Sequence, residues 1–465
     1  MRAKSIAPFA GLFVFAFAAS ASAAENGIQR TGAPEKICQL TGEIDWQSGQ
    51  PTAAKTYSNF GLDAADLGYP IEHNGKLILL FGDSWPTLQP PDQLVEMPPN
   101  DAVGIVTRKA APTGNSCLDM QIQTITDETM RINNQGAAMK IFAPATVTGP
   151  EKIPQGYFEV PTGGVSVGGV LYGFFWTDHC AKSHAIKYAP GAPLARPAQR
   201  DERCPETDAR SSIGRGVMAR SEDDGKTFTR GQPLPPGFVY SIAVNMAVEQ
   251  GRPEGRDTSI YILGAPEYRA SVPYLAEATV ETFADPAAWR FFAGQDGGGK
   301  PKWIGYQEWT GAYKPTGLTA TAWHPPQGAE IFSGEGGKQA CIGEFSLTWN
   351  KPLGQWLMVY NCHGIEARVA AEPWGTWSKP TAILDPKDDF SCKMVMSAKG
   401  CGERRDFWPA RRVGGAVVTG GFYAPFVLNR YTQAGAAKGS AVIYWVLSTW
   451  NPYEVNVMRS TLAPN

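Results

Sequence analysis

The sequence predicts an all-β protein, a five-bladed β-propeller with antiparallel blades and a central acidic funnel. Glycine and aromatic residues are abundant, with 51 glycines, 14 tryptophans and 16 tyrosines in 465 residues. This composition favours many short strands joined by tight turns, and hardly any segment has a sustained helical period. Recurrent apolar strands and acidic residues at hairpin ends are the other two observations that predict this fold.

Internal repetition sets the number of blades. Five similar apolar strands recur along the chain, at residues 75–81, 169–175, 259–263, 355–360 and 441–446. Each is followed by a further strand, at 103–108, 216–220, 274–278, 365–369 and 454–459. Five such units fit one propeller, because uneven spacing only lengthens surface loops. We therefore expect residues 24–465 to form a single domain.

The first hairpin is predicted from Asn74-Gly75, which lies between two apolar runs. This dipeptide favours a two-residue turn in which both residues adopt φ > 0. Counting outward from the turn places Asp66 directly opposite Asp83, where like charges roughly 5 Å apart repel. Such a pair can serve as an acid/base pair, a cation site or ligands for a polar substrate. The alternative is that aspartates simply favour strand ends and turns, and a bulge would shift the register.

The same counting places polar residues at the ends of other hairpins. The pairs are Glu159 with Asp178, from a turn at 168–169, and Asp406 with Tyr423, from a turn at 414–415. In the fourth unit, Glu344 begins a strand and is expected near Tyr360. Hairpin ends that carry acidic groups, with apolar residues between, predict a shared solvent-filled funnel. Each carboxylate capping its own turn is the alternative.

Residues 221–228 match the pattern Ser-x-Asp-x-Gly-x-Thr-aromatic, an Asp box that resembles hairpin turns in propellers of the sialidase type. Side-chain oxygens of such a turn accept backbone N–H groups, and its glycine takes φ > 0. We interpret the motif as structural. Asp223 is not expected to be catalytic, because these turns lie on the outer rim of a propeller.

The first 23 residues read as a signal peptide. Arg2 and Lys4 precede an apolar run at 9–19, and Ala21-Ser22-Ala23 is a small-residue cleavage pattern. The run is too short to span a bilayer, so we expect a secreted or periplasmic protein without a membrane anchor. All eight cysteines follow this segment, which favours disulfides in an oxidising compartment. Nearest-neighbour pairing gives Cys38–Cys117, Cys180–Cys204, Cys341–Cys362 and Cys392–Cys401.

Charge and metal-ligand patterns exclude other classes of protein. The net charge is −2 and no basic run occurs, so a nucleic-acid partner is not expected. The chain has five histidines and no Cys-x-x-Cys pair, which argues against structural zinc. No cofactor is required by the sequence. Oxygen ligands at Asp66 and Asp83 would suit Ca²⁺, and we expect a monomer.

Several short motifs together resemble the domain-of-unknown-function family 4185. They are residues 65–68, 81–84, 343–346, 355–360, 373–378, 448–453 and 458–459. The resemblance implies a fold similar to five-bladed propeller glycosidases. It also implies a polysaccharide or oligosaccharide partner, since some members of the family are endo-acting D-arabinanases.

Glycoside hydrolysis uses two carboxyl groups, one protonated and one ionised. Asp66 and Asp83 are the predicted pair, with Glu344 as the third catalytic candidate. The predicted substrate-binding residues are Trp85, Glu159, Trp176, Asp178, His179, Tyr268, Arg269, Tyr360, Asp406, Tyr423 and Trp450. One alternative is a non-catalytic carbohydrate- or protein-binding propeller. Another is a sialidase-like exo-glycosidase, which would need a cluster of arginines and a Tyr/Glu pair.

Overall fold

The computed structural model describes residues 27–85, 100–114, 116–123, 159–177, 215–266, 269, 271–311, 325–332, 341–385, 394–395, 412–413, 416–417 and 420–465. Five antiparallel sheets are arranged as the blades of a β-propeller, which confirms the predicted fold class. The predicted signal peptide lies outside the described residues. No helix within those ranges is long and apolar enough to cross a membrane.

The strands follow one another blade by blade. Two N-terminal strands, β1 (Ile28–Arg30) and β2 (Glu35–Gln39), precede the first blade, which contains β3 (Ala64–His73), β4 (Lys76–Trp85), β5 (Asn100–Val106) and β6 (Met120–Ile122). The second blade contains β7 (Glu159–Val167), β8 (Val170–Thr177), β9 (Arg215–Ser221) and β10 (Thr229–Pro233). The third contains β11 (Tyr240–Asn245), β12 (Ser259–Ala265), β13 (Tyr274–Thr279), β14 (Arg290–Gln295) and β15 (Pro301–Ile304).

The fourth and fifth blades complete the chain. The fourth contains β16 (Phe345–Asn350), β17 (Gln355–Asn361), β18 (Ile365–Ala370) and β19 (Thr381–Leu384). A separate hairpin pairs β20 (Arg412–Val413) with β21 (Ala416–Val417), and the fifth blade contains β22 (Gly421–Val427), β23 (Gln433–Ala434), β24 (Ala441–Trp450) and β25 (Glu454–Pro464). The helices are short: α1 (Thr56–Phe60), α2 (Met246–Gln250), α3 (Tyr306–Thr310) and 3₁₀ turns at Pro286–Ala288 and Asn429–Tyr431.

The innermost strands close a ring around a central axis. Strands β3, β7, β11, β16 and β22 each contact the next, and β22 contacts β3. Both N-terminal strands pair with β25, so the fifth blade is built from the two ends of the described chain. The five predicted apolar strands are β4, β8, β12, β17 and β24, and each pairs with the innermost strand of its blade. Their buried side chains form the core between blades.

Bulges correct two of the predicted registers. The Asn74-Gly75 turn pairs His73 with Lys76 as expected, but Gly68 is an extra residue in β3, and Asp66 pairs with Gly82 rather than with Asp83. β7 has a similar bulge between Pro161 and Gly163, so Glu159 pairs with Thr177 rather than with Asp178. Because a bulge adds one residue to one strand, counting from the turn fails beyond it.

The register of the fifth-unit hairpin agrees with the prediction where it is described, because Val413 pairs with Ala416 and Arg412 with Val417 in the separate hairpin β20–β21. Tyr423 lies in β22, where it pairs with Ser448 of β24, and its predicted pairing with Asp406 stays a prediction. Asp406 lies outside the described residues. In the fourth blade the prediction holds, because Phe345 pairs with Tyr360 and Glu344 therefore lies beside that strand end.

Two of the predicted disulfides are present, Cys38–Cys117 and Cys341–Cys362. The other four cysteines lie outside the described residues. In the turn 221–228, Asp223 accepts hydrogen bonds from the backbone N–H of Thr227 at 2.9 Å and from its hydroxyl at 2.7 Å. Asp224 of this turn accepts from Lys76 at 2.7 Å, so the turn links the hairpin of the first blade to the second.

Candidate functional site

A cavity of about 420 Å³ opens at one end of the propeller axis. All five innermost strands begin there, since each contributes a residue at or just before its N-terminal end. These residues are Asp66, Val160, Tyr240, Glu344 and Tyr423. Asp83, at the end of β4, also lines the cavity. The blades thus bring three carboxyl groups together that are distant in sequence.

Asp66 is held by two tyrosine hydroxyls. Tyr453 donates to Oδ2 of Asp66 at 2.6 Å, and Tyr423 donates to the same oxygen at 2.9 Å. The other oxygen, Oδ1, is buried and accepts no hydrogen bond from the described residues. Gly82 leaves room for Oδ1, because a Cβ at that position would lie 2.7 Å from it. The two carboxyl oxygens of Asp66 therefore have different surroundings, tyrosine hydroxyls at Oδ2 and the backbone of Gly82 at Oδ1.

Tyr453 links Asp66 to Asp83. Its hydroxyl also lies 3.4 Å from Oδ2 of Asp83, so the two Oδ2 atoms are within two hydrogen-bond lengths of each other. Asp66 is 7% exposed, whereas Asp83 is half-buried. The bulges therefore change the register without separating the two carboxyl groups.

The environment of Asp66 favours its protonated form. Burial raises the pKa of Asp66 well above its ordinary value, and the nearby Asp83 carboxylate raises it further, against the tyrosine hydrogen bonds that lower it. Burial and the Asp66 charge also raise the pKa of Tyr453, which keeps this hydroxyl a donor. The same surroundings thus favour a proton on Asp66 and a hydrogen on the Tyr453 hydroxyl.

Glu344 has a different partner. Nη2 of Arg269 donates to Oε1 at 3.1 Å and lies 3.4 Å from Oε2, while only 2% of Glu344 is exposed. The same guanidinium lies 5.7 Å from the centre of the Tyr423 ring. Arg269 thereby supplies a countercharge to Glu344 and extends the wall of the cavity next to the tyrosine.

Aromatic side chains form much of the remaining wall. Trp176, Phe422, Trp450 and Tyr453 line the cavity, and the rings of Trp450 and Tyr453 pack edge to face at 5.6 Å. Flat apolar faces beside carboxyl and guanidinium groups can stack on sugar rings and bind their hydroxyls.

Backbone strain concentrates around the cavity. Four non-glycine residues with positive φ lie in the site or next to its residues in sequence, namely Leu67 (61°), Arg269 (57°), Ala424 (52°) and Asn451 (51°). Left-handed geometry is costly for such side chains and persists where the surrounding structure enforces it. It accompanies the register shifts that aim Asp66 and Tyr423 inward.

The predicted site residues divide into four groups. The structure brings Asp66, Asp83, Glu344, Trp176, Arg269, Tyr423 and Trp450 together around one cavity. Tyr360 does not line it, and its hydroxyl accepts from Nε of Arg368 at 2.9 Å. Trp85 ends β4 and Glu159 begins β7. Asp178, His179, Tyr268 and Asp406 lie outside the described residues.

Sequence reasoning missed Tyr453, Tyr240 and Phe422 as site residues. Tyr453 follows Asn451-Pro452 in the turn between β24 and β25, within a motif that the sequence analysis used only for family resemblance. The signal was an aromatic residue directly after a proline turn at the end of an apolar strand. Its contact with Asp66 spans 387 residues of sequence, so only the closed ring reveals it.

Comparisons with known proteins give one family and several solved structures. The family described as "Domain of unknown function (DUF4185)" matches residues 52–459. No curated protein matches the chain. A glycosyl hydrolase from Bacteroides ovatus aligns with a TM-score of 0.39 at 10% identity, over 94% of this chain and 94% of that one. A GH62 hydrolase in complex with xylotriose aligns at 0.33 and 9% identity, over 93% and 98% of the two chains.

Trypanosoma rangeli sialidase, in complex with the inhibitor DANA, aligns with a TM-score of 0.36 at 10% identity. The alignment covers 86% of this chain but only 45% of the sialidase, so the chain spans less than half of that relative. Alignments at this level carry no argument about activity or substrate.

Proposed function

We propose that this chain, which belongs to the domain-of-unknown-function family DUF4185, is an exported glycoside hydrolase acting on a furanoside-containing, arabinan-like polysaccharide. One observation carries the proposal. Two aspartates share the hydroxyl of Tyr453 at an open cavity, and burial raises the pKa of one of them. A neighbouring pair with divided protonation states is what glycosidic bond cleavage requires.

Asp66 acts as the general acid in this proposal. Donation of its proton to the leaving oxygen breaks the glycosidic bond, and the two tyrosine hydroxyls that donate to Oδ2 hold the carboxyl group in place. Asp83, which is less buried, acts in its ionised form, either on water or on the sugar carbon. Glu344 and Arg269 bind substrate hydroxyls, and the aromatic wall stacks on sugar rings.

A Ca²⁺ ion at the funnel remains a prediction. Calcium takes six to eight oxygen ligands, whereas Oδ2 of Asp66 is already engaged by two hydroxyl donors. An ion at this site would therefore have to be bound by the carboxylate of Asp83 and by Oδ1 of Asp66. We expect activity to persist in excess EDTA, measured against the same assay with added calcium.

The sialidase-like alternative is less well supported. Its substrate carboxylate needs several arginines, and among the described residues that line the cavity Arg269 is the one arginine, already paired with Glu344. A non-catalytic binding propeller would tolerate loss of either aspartate. These alternatives define the controls of the test.

The test is incubation of the purified protein with arabinans, arabinogalactan, xylan and sialosides, with the products separated by chromatography. We expect furanose oligomers from the arabinose-containing polymers, and no release by the Asp66→Asn or Asp83→Asn variants. Binding without turnover would support the non-catalytic alternative. Release of sialic acid alone would support the sialidase-like one.

A further inference from the structure

A second groove, of about 520 Å³, lies on the outer part of the ring between the third and fourth blades. One wall contains Phe292 of β14 and the segment 328–332, and the other contains Arg368 of β18 and the segment 374–379. None of its lining residues lines the funnel. Segment 374–379 follows Ala370, which lies at the opposite end of β18 from Glu344.

The groove contains a motif that the funnel does not use. Trp374-Gly-Thr-Trp377 was part of the family resemblance, yet neither tryptophan reaches the aspartates. Trp374 is half-buried, and its ring packs edge to face against Tyr261 and Trp303, each at 6.0 Å. Its carbonyl accepts from Nε2 of Gln295 at 2.9 Å, which joins the two walls. The aromatic surface is therefore fixed before any ligand arrives.

Polar groups of both signs surround this aromatic surface. The Arg368 guanidinium lies 4.7 Å from the centre of the Phe332 ring, and its Nη1 donates to the carbonyl of Ser378 at 2.8 Å. Glu330 and Lys379 are exposed at the rim. A polyanion would need uncompensated cations, and an apolar partner would need an apolar lining. Sugars need flat aromatic faces with donors and acceptors beside them.

We propose that this groove is a second, non-catalytic saccharide-binding site that holds another stretch of the polysaccharide that the funnel cleaves. The substrate class rests on the proposed function, but the groove itself does not. A volume of about 520 Å³ accommodates a short oligosaccharide segment. When one polysaccharide molecule occupies both sites, its effective concentration at the funnel rises, so the groove favours long substrates over short ones.

The test compares the full chain with Trp374→Ala, Lys379→Ala and Tyr57→Ala. Tyr57 is 42% exposed on α1 and lies outside both sites, so Tyr57→Ala is the matched control for loss of an exposed aromatic. Lys379 is exposed and its loss leaves the packing around Trp374 intact, which keeps the test valid if Trp374→Ala misfolds. Binding to linear arabinan and to soluble arabinogalactan is measured by affinity electrophoresis in an Asp66→Asn background.

We expect Trp374→Ala to weaken polymer binding about tenfold and Lys379→Ala about threefold, with no change for Tyr57→Ala. In the active protein, Trp374→Ala should lower kcat/KM about fivefold on the polymer and leave it unchanged on a short arabino-oligosaccharide. Unchanged polymer binding in both groove variants, or equal losses on long and short substrates, would overturn the proposal. If the wild type cleaves no glycan but its polymer binding still depends on Trp374, the groove stands and the proposed activity falls.

Discussion

Each end of the propeller axis holds a carboxyl group, and the difference between their surroundings indicates which one can take part in chemistry. Asp66, at the funnel, faces a cavity of about 420 Å³ and a second carboxyl group. Glu249 of α2 lies at the other end, beside a cavity of only about 60 Å³. Oε2 of Glu249 accepts from the backbone N–H of Trp349 at 2.8 Å and from Asn429 at 2.7 Å.

Burial raises the pKa of both groups, to about 8 for Glu249. A raised pKa alone therefore does not identify a catalytic acid in this molecule. The neighbouring groups distinguish the two carboxyl groups. Asp66 shares the Tyr453 hydroxyl with Asp83 beside an open cavity. Glu249 instead accepts from backbone and amide donors that link α2 to the fourth and fifth blades.

The largest expected effect comes from exchanging each acid for its amide. Asp66→Asn should lower kcat on arabinan about a thousandfold, because the general acid is lost. Glu249→Gln should change kcat less than twofold, because Glu249 lies far from the funnel. The glutamine side chain also keeps a carbonyl oxygen as the hydrogen-bond acceptor. Steady-state kinetics on both purified variants checks this, and comparable losses in the two would abolish the distinction between the two ends.

The same pair of variants should behave alike in stability. A folded-state pKa of about 8 for Glu249, against 4.5 unfolded, means that its stabilising contribution is complete below pH 4.5 and is lost as the pH rises to about 8. At about 1.4 kcal/mol per pH unit, the total loss is about 5 kcal/mol. Glu249→Gln should remove that loss, so its free energy of unfolding in urea should exceed that of the wild type at pH 8.

Asp66→Asn should also raise the free energy of unfolding at pH 8, because it too removes a buried ionisable group. An inactive but more stable protein would sharpen the comparison. A drop in stability at pH 8 for either amide variant would show that its carboxyl group is not strained by burial.

Removal of the shared hydroxyl should have a smaller effect. Tyr453→Phe should lower kcat about 10- to 100-fold, since both aspartates lose a donor. The hydrogen bond lowers the pKa of Asp66, so its loss should move the alkaline limb of the kcat/KM profile to higher pH. Tyr423→Phe removes the longer of the two hydrogen bonds to Asp66 and should give a smaller fall in kcat. An unchanged pH profile in Tyr453→Phe would argue against Asp66 as the acid.

Filling the space beside Asp66 should have the smallest effect. Gly82→Ala places a Cβ 2.7 Å from Oδ1 of Asp66 and 2.7 Å from Cδ1 of Leu67, so it should cost about 1–3 kcal/mol in unfolding free energy and displace the carboxyl group. Gly75→Ala, at a turn with φ of 76° and no neighbour within 4 Å, should lose stability but keep its kcat. Equal activity of the two variants would mean that the position of Oδ1 is unimportant.

The blades could be predicted because their signals are local. Asn74-Gly75 fixes its own turn, and the apolar runs that became β4 and β17 need only their own composition. The register beyond Gly68 could not be predicted, because the bulge depends on packing of Gly68 against Phe81 and against Val455 of the fifth blade. Counting from the turn therefore gave the wrong pairing, although Asp66 and Asp83 do line the same cavity.

The contacts across the funnel could not be predicted from the sequence. Asp66 meets Tyr423 and Tyr453 across 357 and 387 residues, and no local pattern reports such a distance. Arg269 was named among the substrate-binding residues, but its pairing with Glu344 spans 75 residues of sequence and depends on how the blades pack.

Closure of the ring by β1 and β2 on β25 has a consequence for biosynthesis. The hydroxyls that orient Asp66 belong to the blade that is completed last, so a partly synthesised chain has its aspartates without their tyrosines. Competence for catalysis would arise in a single late step of folding, and a nascent chain would be harmless to any glycan it met on the way.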